Sequence, residues 1–109
     1  MWIIVAGPYR AGGVDAATRD ANLQRLNQAA LAVFRAGHVP VIGVNMALPI
    51  IATGAPYEEV MMPLSLALAE RCDACLRVGG PSQGADAEVA RFAAMGRPVY
   101  RSLSEVPEA

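Results

Sequence analysis

The residues best suited to chemistry lie in a turn from Ser82 to Glu88 that follows an apolar stretch. Ser82 is a good helix N-cap, and the free amides behind such a cap form a natural site for phosphate or carboxylate. Gly84 leaves room there, and Glu88, four residues later, lies on the same helix face. A carboxylate facing that bare patch is suited to nucleophilic attack at a sugar carbon.

A simpler interpretation fits the same spacing. Asp86 and Glu88 would then only complement the positive end of the helix, an ordinary surface arrangement. Taken alone, the spacing favours this interpretation. The rest of the sequence must therefore show whether the two acids have a role in a site.

A second Gly-rich turn follows the first apolar run and extends from Gly7 to Gly13. It contains neither a dinucleotide-binding fingerprint nor a Walker sequence. It still suits an anion loop, because Gly7 allows close backbone approach and Arg10 offers a forked donor to phosphate or sugar. The alternative is that the glycines only form the turn while Arg10 is solvated.

Cys72 and Cys75 have the Cys-x-x-Cys spacing of a redox pair or half a zinc site. A redox pair normally opens a helix after a strand, whereas Cys72 closes a helical stretch and Cys75 falls in a strand. His38 is the single histidine, so a zinc site lacks two ligands. We expect two small apolar core side chains and neither metal nor cofactor.

Strands and helices must position these turns. The pattern of apolar residues predicts strands and helices that alternate along the chain. A long loop over 7–15 follows the first strand, and residues 43–57 are predicted to be irregular, with at most one helical turn. Pro40 places the second strand toward an edge. The predicted strands are 2–6, 38–42, 73–78 and 97–100, and the predicted helices are 18–36, 62–71 and 84–94.

Such alternation predicts one α/β domain over residues 1–109, a doubly wound, flavodoxin-like parallel sheet in the order 2-1-3-4. Ligands bind at the carboxyl ends of the strands in such sheets. The turns at Gly7 and Gly79 should therefore flank one crevice.

Composition and charge indicate which classes of partner the protein binds. The net charge is −1 and the basic residues are scattered arginines, which argues against nucleic-acid binding. No apolar run reaches the length of a membrane helix and no signal peptide opens the sequence, so we expect a cytoplasmic protein without a membrane partner. A short, Ala- and Met-rich chain buries limited surface, and we expect a homo-oligomer, a dimer or higher.

The ordered motifs resemble the nucleoside 2-deoxyribosyltransferase-like superfamily, which includes 2′-deoxynucleoside 5′-phosphate N-hydrolases. The likeness spans most of the chain and has no single diagnostic motif. It is carried by Ala6-Gly7-Pro8, Arg19 and Asn22, Gly37-His38-Val39-Pro40-Val41, Cys72-Asp73-Ala74, Ser82-x-Gly84-Ala85-x-x-Glu88 and Gly96-Arg97-Pro98-Val99.

The resemblance implies that Glu88 is the nucleophile of a retaining glycosyl transfer, displacing the base to form a covalent glycosyl-enzyme. It also implies that Ser82 and the Arg10 loop contact a 5′-phosphate. Two positions depart from the family pattern: Ser65 stands where many members have an aspartate, and Ile4 where a tyrosine is frequent, although Tyr9 can reach in from the loop.

The sequence therefore predicts cleavage or transfer of an N-glycosidic bond of a nucleoside or nucleotide. Two alternatives remain: a non-catalytic module that binds nucleotide or sugar phosphate, and an enzyme acting on a nucleotide sugar or NAD. Retained Glu88 favours an enzyme, whereas Ser65 and Ile4 favour the binding module. The candidate site comprises Glu88 as catalytic residue and Gly7, Tyr9, Arg10, Asn45, Ser82, Gly84 and Asp86 as ligand-binding residues.

Overall fold

The computed structural model describes residues 1–10 and 15–109, and four strands in it form one parallel sheet. The order β2-β1-β3-β4 confirms the predicted topology, with Pro40 on the edge strand. The predicted loop over 7–15 includes residues 11–14, which lie outside the described residues. The elements are β1 (Trp2–Ala6), α1 (Ala16–Arg35), β2 (Val39–Val41), α2 (Gly43–Ile51), α3 (Tyr57–Glu70), β3 (Ala74–Arg77), α4 (Gln83–Met95), β4 (Val99–Tyr100) and a 3-10 turn (Leu103–Glu105).

Burial on both faces makes β1 and β3 the centre of the sheet. Side chains of successive strand residues point to opposite faces, so Ile3 and Val5 enter one apolar cluster with α1, while Ile4 and Ala6 enter another. The second cluster includes Ala85 and Phe92 of α4. Helices on both faces therefore confirm the doubly wound arrangement.

Two predictions for the middle of the chain are wrong. Residues 43–51 form the nine-residue helix α2 rather than an irregular segment, and α3 begins at Tyr57 rather than Met62. Pro49 and Pro63 lie inside these helices, where each removes one backbone donor. Both prolines are exposed on the surface of their helices.

Helix ends follow the local sequence closely. Ser82 caps α4, its hydroxyl accepting a hydrogen bond from the Ala85 amide at 3.1 Å, as predicted. Asp15 caps α1 through the Thr18 amide, which moves the start of that helix to Ala16. Gly96 ends α4 in the left-handed conformation, with φ of 68°.

None of the helices in the described part of the chain combines the length and apolarity needed to cross a bilayer.

Candidate active site

A cleft of about 460 Å³ opens at the carboxyl ends of the two central strands. It brings together six of the eight predicted site residues, from both Gly-rich turns and from α4. Helix α3 closes the opposite side. The lining residues are Gly7, Tyr9, Arg10, Val44, Tyr57, Met61, Met62, Ser65, Ser82, Gln83, Gly84, Ala85 and Glu88.

Glu88 is the buried carboxylate of this cleft, only 8% exposed. The cap at Ser82 starts α4 at the cleft, and Gly84 keeps the first turn bare, one helical turn before Glu88. Burial raises the pKa of the Glu88 carboxyl from 4.5 to about 7, opposed by a hydrogen bond with Ser65 and by the charge of Arg77. A carboxyl with this pKa exchanges its proton near neutral pH, so it can take part in acid–base chemistry and, once ionised, can act as a nucleophile.

Ser65 reaches Glu88 from α3. Its side chain is 2% exposed and hydrogen-bonds to the Glu88 carboxylate. Helix α2 packs so closely on this serine that a Cβ added at Gly43 would lie 2.2 Å from the Ser65 Oγ. Glycine at position 43 therefore permits the packing that holds Ser65 against the carboxylate.

The floor of the cleft forms where the two Gly-rich turns meet. The Val78 amide donates to the Ala6 carbonyl at 2.8 Å, joining the ends of β1 and β3. A Cβ at Gly7 would lie 2.7 Å from the Val78 carbonyl oxygen, and one at Gly79 would lie 2.8 Å from Pro8 Cδ. Close packing, against backbone at Gly7 and against the Pro8 ring at Gly79, is thus one reason for glycine at both turns.

Asn22 on α1 supports the loop of the cleft, a role that the sequence did not reveal. Its side-chain amide donates to the Tyr9 carbonyl at 2.7 Å, and its oxygen accepts from Arg25 at 3.2 Å. Asn22 is 8% exposed, on the same face as buried Leu26 and Val33. The spacing of an asparagine with these apolar residues was the available signal.

Arg10 and Tyr57 form one wall. The guanidinium carbon of Arg10 lies 3.5 Å from the centre of the Tyr57 ring, a close cation–π contact. Within the described chain, the Arg10 Nε is buried without a hydrogen-bond partner. Burial raises the pKa of Tyr57 above its usual value, with the charge of Arg10 opposing the shift. The contact supports Arg10 at the cleft, with its Nε enclosed by protein.

The other two predicted ligand residues lie elsewhere. Asn45 is exposed on α2 and donates to the Asn27 side chain at 2.7 Å. Asp86 faces the β3–α4 connection, where it pairs with buried Arg77 at 3.4 Å. Arg77 also donates to the carbonyls of Val78 and Gly80. The Asp86–Arg77 pair therefore braces the turn that precedes α4.

Cys72 and Cys75 are free, buried thiols, Cys72 shortly before β3 and Cys75 within it. Burial raises the pKa of Cys72 to about 11 and that of Cys75 to about 12, and nearby acidic groups add to both shifts. Thiols held this firmly in the protonated form are poor nucleophiles and metal ligands. In the described ranges, no three His, Cys, Asp or Glu residues come together as a metal site would require.

Comparison with known proteins gives no family for this chain: no protein-family model matches it, and no curated protein matches it significantly.

Proposed function

We propose that this protein cleaves or transfers the N-glycosidic bond of a nucleoside or nucleoside 5′-monophosphate through a covalent glycosyl-enzyme on Glu88. The observation that carries the proposal is the buried Glu88 carboxylate, with a pKa near 7, in a cleft of about 460 Å³. That volume lies in the range typical of small-molecule sites. The resemblance to the nucleoside 2-deoxyribosyltransferase-like superfamily points to the same chemistry and remains a proposal.

Ligand binding uses the two turns. The unpaired amides at the start of α4 and the Arg10 guanidinium supply donors for a 5′-phosphate or for sugar hydroxyls. The thioethers of Met61 and Met62 form an apolar wall suited to a planar base. The sugar then lies between these groups, with its anomeric carbon toward Glu88.

The first chemical step is attack by ionised Glu88. A carboxylate oxygen bonds to the anomeric carbon while the carbon–nitrogen bond breaks, and the electron pair of that bond leaves with the base. The Ser65 hydroxyl holds the carboxylate in place and favours its ionised form. The product is a glycosyl ester of Glu88.

The second step releases the sugar. Attack by water forms a sugar hydroxyl, returns Glu88 as a carboxylate and frees one proton, which completes hydrolysis. Attack by the nitrogen of another base gives transfer instead. Both routes retain the configuration of the anomeric carbon because it is inverted twice.

Release of free base tests the proposal directly. Wild-type protein and the Glu88→Gln variant are incubated with a panel of ribo- and deoxyribonucleosides and their 5′-monophosphates, and free base is followed by chromatography. We expect release by the wild type and a loss of at least about a hundredfold in Glu88→Gln, since glutamine is a far poorer nucleophile.

A matched control is Glu59→Gln, which neutralises an exposed glutamate of α3 outside the cleft and should leave base release unchanged. No base from any substrate with folded wild-type protein refutes the glycosidase proposal. Equal release by Glu88→Gln removes Glu88 from the nucleophile role.

A second candidate is a module that binds nucleotide or sugar phosphate without turnover. The Arg10 guanidinium at the cleft and the capped start of α4 favour ligand binding whether or not chemistry follows. Calorimetric binding of a 5′-monophosphate with no release of base supports this candidate.

Our proposal also includes homo-oligomeric assembly in the cytoplasm. Large apolar side chains stay exposed, with Trp2 at 53% and Phe34 at 64%, and such surface is what subunit contacts cover. Sedimentation of the purified chain tests the oligomer.

A further inference from the structure

The described lining of the cleft contains a single carboxyl group among its proton donors. Glu88 is the one carboxylate among its described lining residues, and residues 11–14 are Ala, Gly, Gly and Val, which bring no acid. The other donors are serine and tyrosine hydroxyls, the Gln83 amide and the Arg10 guanidinium. Phenols and guanidinium groups hold their protons at neutral pH, and burial raises the pKa of Tyr57 above its usual value. These groups are weak acids for a leaving base at neutral pH.

Glu88 cannot also supply the missing proton. As nucleophile it must be ionised when the carbon–nitrogen bond breaks, so its proton has already gone. A neutral base then departs as an anion unless another acid protonates it, and a placed acid accelerates such steps by roughly 10²–10⁴-fold. The arrangement therefore favours bases that leave without a proton.

The electrostatics of Glu88 favour the same substrates. The groups acting on it are the Ser65 hydroxyl from α3 and the charge of Arg77 from β3, and its own charge helps to raise the pKa of the Cys72 and Cys75 thiols. Arg77 also donates hydrogen bonds to Asp86 and to two backbone carbonyls. A positive charge on the ligand adds an opposite charge beside the buried carboxylate and so promotes its ionisation.

The apolar wall is compatible with a flat cation. The face of Tyr57 already holds one positive group, the Arg10 guanidinium, at 3.5 Å. A ligand ring therefore packs on the polarisable thioethers of Met61 and Met62, which make favourable contacts with ring edges.

From these contacts, and resting on the proposed function, we infer that the preferred substrates are N-glycosides whose base carries a fixed positive charge. This class includes N7-alkylated purine and pyridinium nucleotides. Glu88 bonds to the anomeric carbon, the carbon–nitrogen bond breaks, and its electron pair neutralises the ring nitrogen. The base leaves uncharged without a proton; water then releases the sugar and one proton, and Glu88 returns as a carboxylate.

A matched pair of substrates tests the inference on the unmodified protein. Guanosine 5′-monophosphate and 7-methylguanosine 5′-monophosphate differ by one methyl group and one charge, and nicotinamide mononucleotide presents the charge on another ring. An enzyme with a working acid reduces the difference within the pair by protonating N7 of guanine. We expect kcat/KM for both cationic substrates to exceed that for guanosine 5′-monophosphate by at least about a hundredfold, the lower limit of acid catalysis.

The possible outcomes separate the two proposals. Cleavage of all three substrates with kcat/KM within tenfold, abolished in Glu88→Gln, overturns the charge preference and leaves the glycosidase proposal standing. A preference confined to one cationic ring shows that shape rather than charge is selected, which also overturns the inference. No release of base from any of the three overturns both proposals for this substrate class.

Discussion

Replacing Glu88 by glutamine should stabilise the protein at pH 8, because the wild type then holds an ionised carboxylate in a buried position. Glutamine keeps the shape of the side chain and can still accept a hydrogen bond from Ser65. The pKa of Glu88 is about 7 in the folded chain against a usual value of 4.5. At 1.36 kcal/mol per pKa unit, this difference corresponds to about 3 kcal/mol, a large part of the 5–15 kcal/mol typical of a domain.

The sign follows from proton linkage. Below pH 4.5 the carboxyl is protonated in both folded and unfolded chains, so its ionisation contributes nothing to the difference between wild type and variant. Between pH 4.5 and about 7 the unfolded chain ionises first, and the wild type loses stability relative to Glu88→Gln. Above that window both states are ionised and the difference is constant.

Urea denaturation at intervals from pH 4 to pH 8, followed by far-ultraviolet circular dichroism, measures this difference. We expect the advantage of Glu88→Gln to grow through the window and reach a plateau of up to about 3 kcal/mol. The exposed control Glu59→Gln should show no such growth. A Glu88→Gln advantage that does not vary with pH refutes the assignment of a raised pKa to this carboxyl.

Three further predictions concern the surroundings of Glu88. Removing the hydroxyl in Ser65→Ala should raise the pKa of Glu88 above about 7, which carbon-13 NMR titration of the carboxyl measures; an unchanged pKa contradicts the contact. The added methyl of Gly43→Ala meets Ser65 Oγ and should lower the free energy of unfolding by about 1–3 kcal/mol, whereas Gly80→Ala, with open space around its Cβ, should not. The two buried thiols should resist iodoacetamide at pH 8 in the folded protein and react rapidly in urea; rapid alkylation before unfolding would contradict their burial.

The sheet order and, to within one residue at each end, the bounds of its central strands were predictable from sequence. Apolar runs bounded by glycine and proline identify β1 and β3, and the alternation with helices leaves few topologies. The cap at Ser82 was predictable because its signal is local, a serine three residues before the amide that it accepts.

The other features of the fold and of the site depend on tertiary contacts, which the sequence does not show. Pro49 and Pro63 obscured α2 and the start of α3, since a proline inside a helix is tolerated only where its neighbours are arranged to accept it. The contact of Ser65 with Glu88 joins residues on two helices and leaves no local trace. The sequence predicted Glu88 as a site residue but could not show that its side chain is buried.

The division of the cleft between a sheet-bound floor and a helical wall affects how its selectivity can evolve. Hydrogen bonds and close backbone contacts tie the ends of β1 and β3 to each other, whereas the opposite wall is made of side chains on α3. Tyr57 and Met61 recur one helical turn apart along that wall, ahead of Ser65. Point mutations on this one helical face can therefore reshape the wall of the cleft while Glu88 keeps its place on α4.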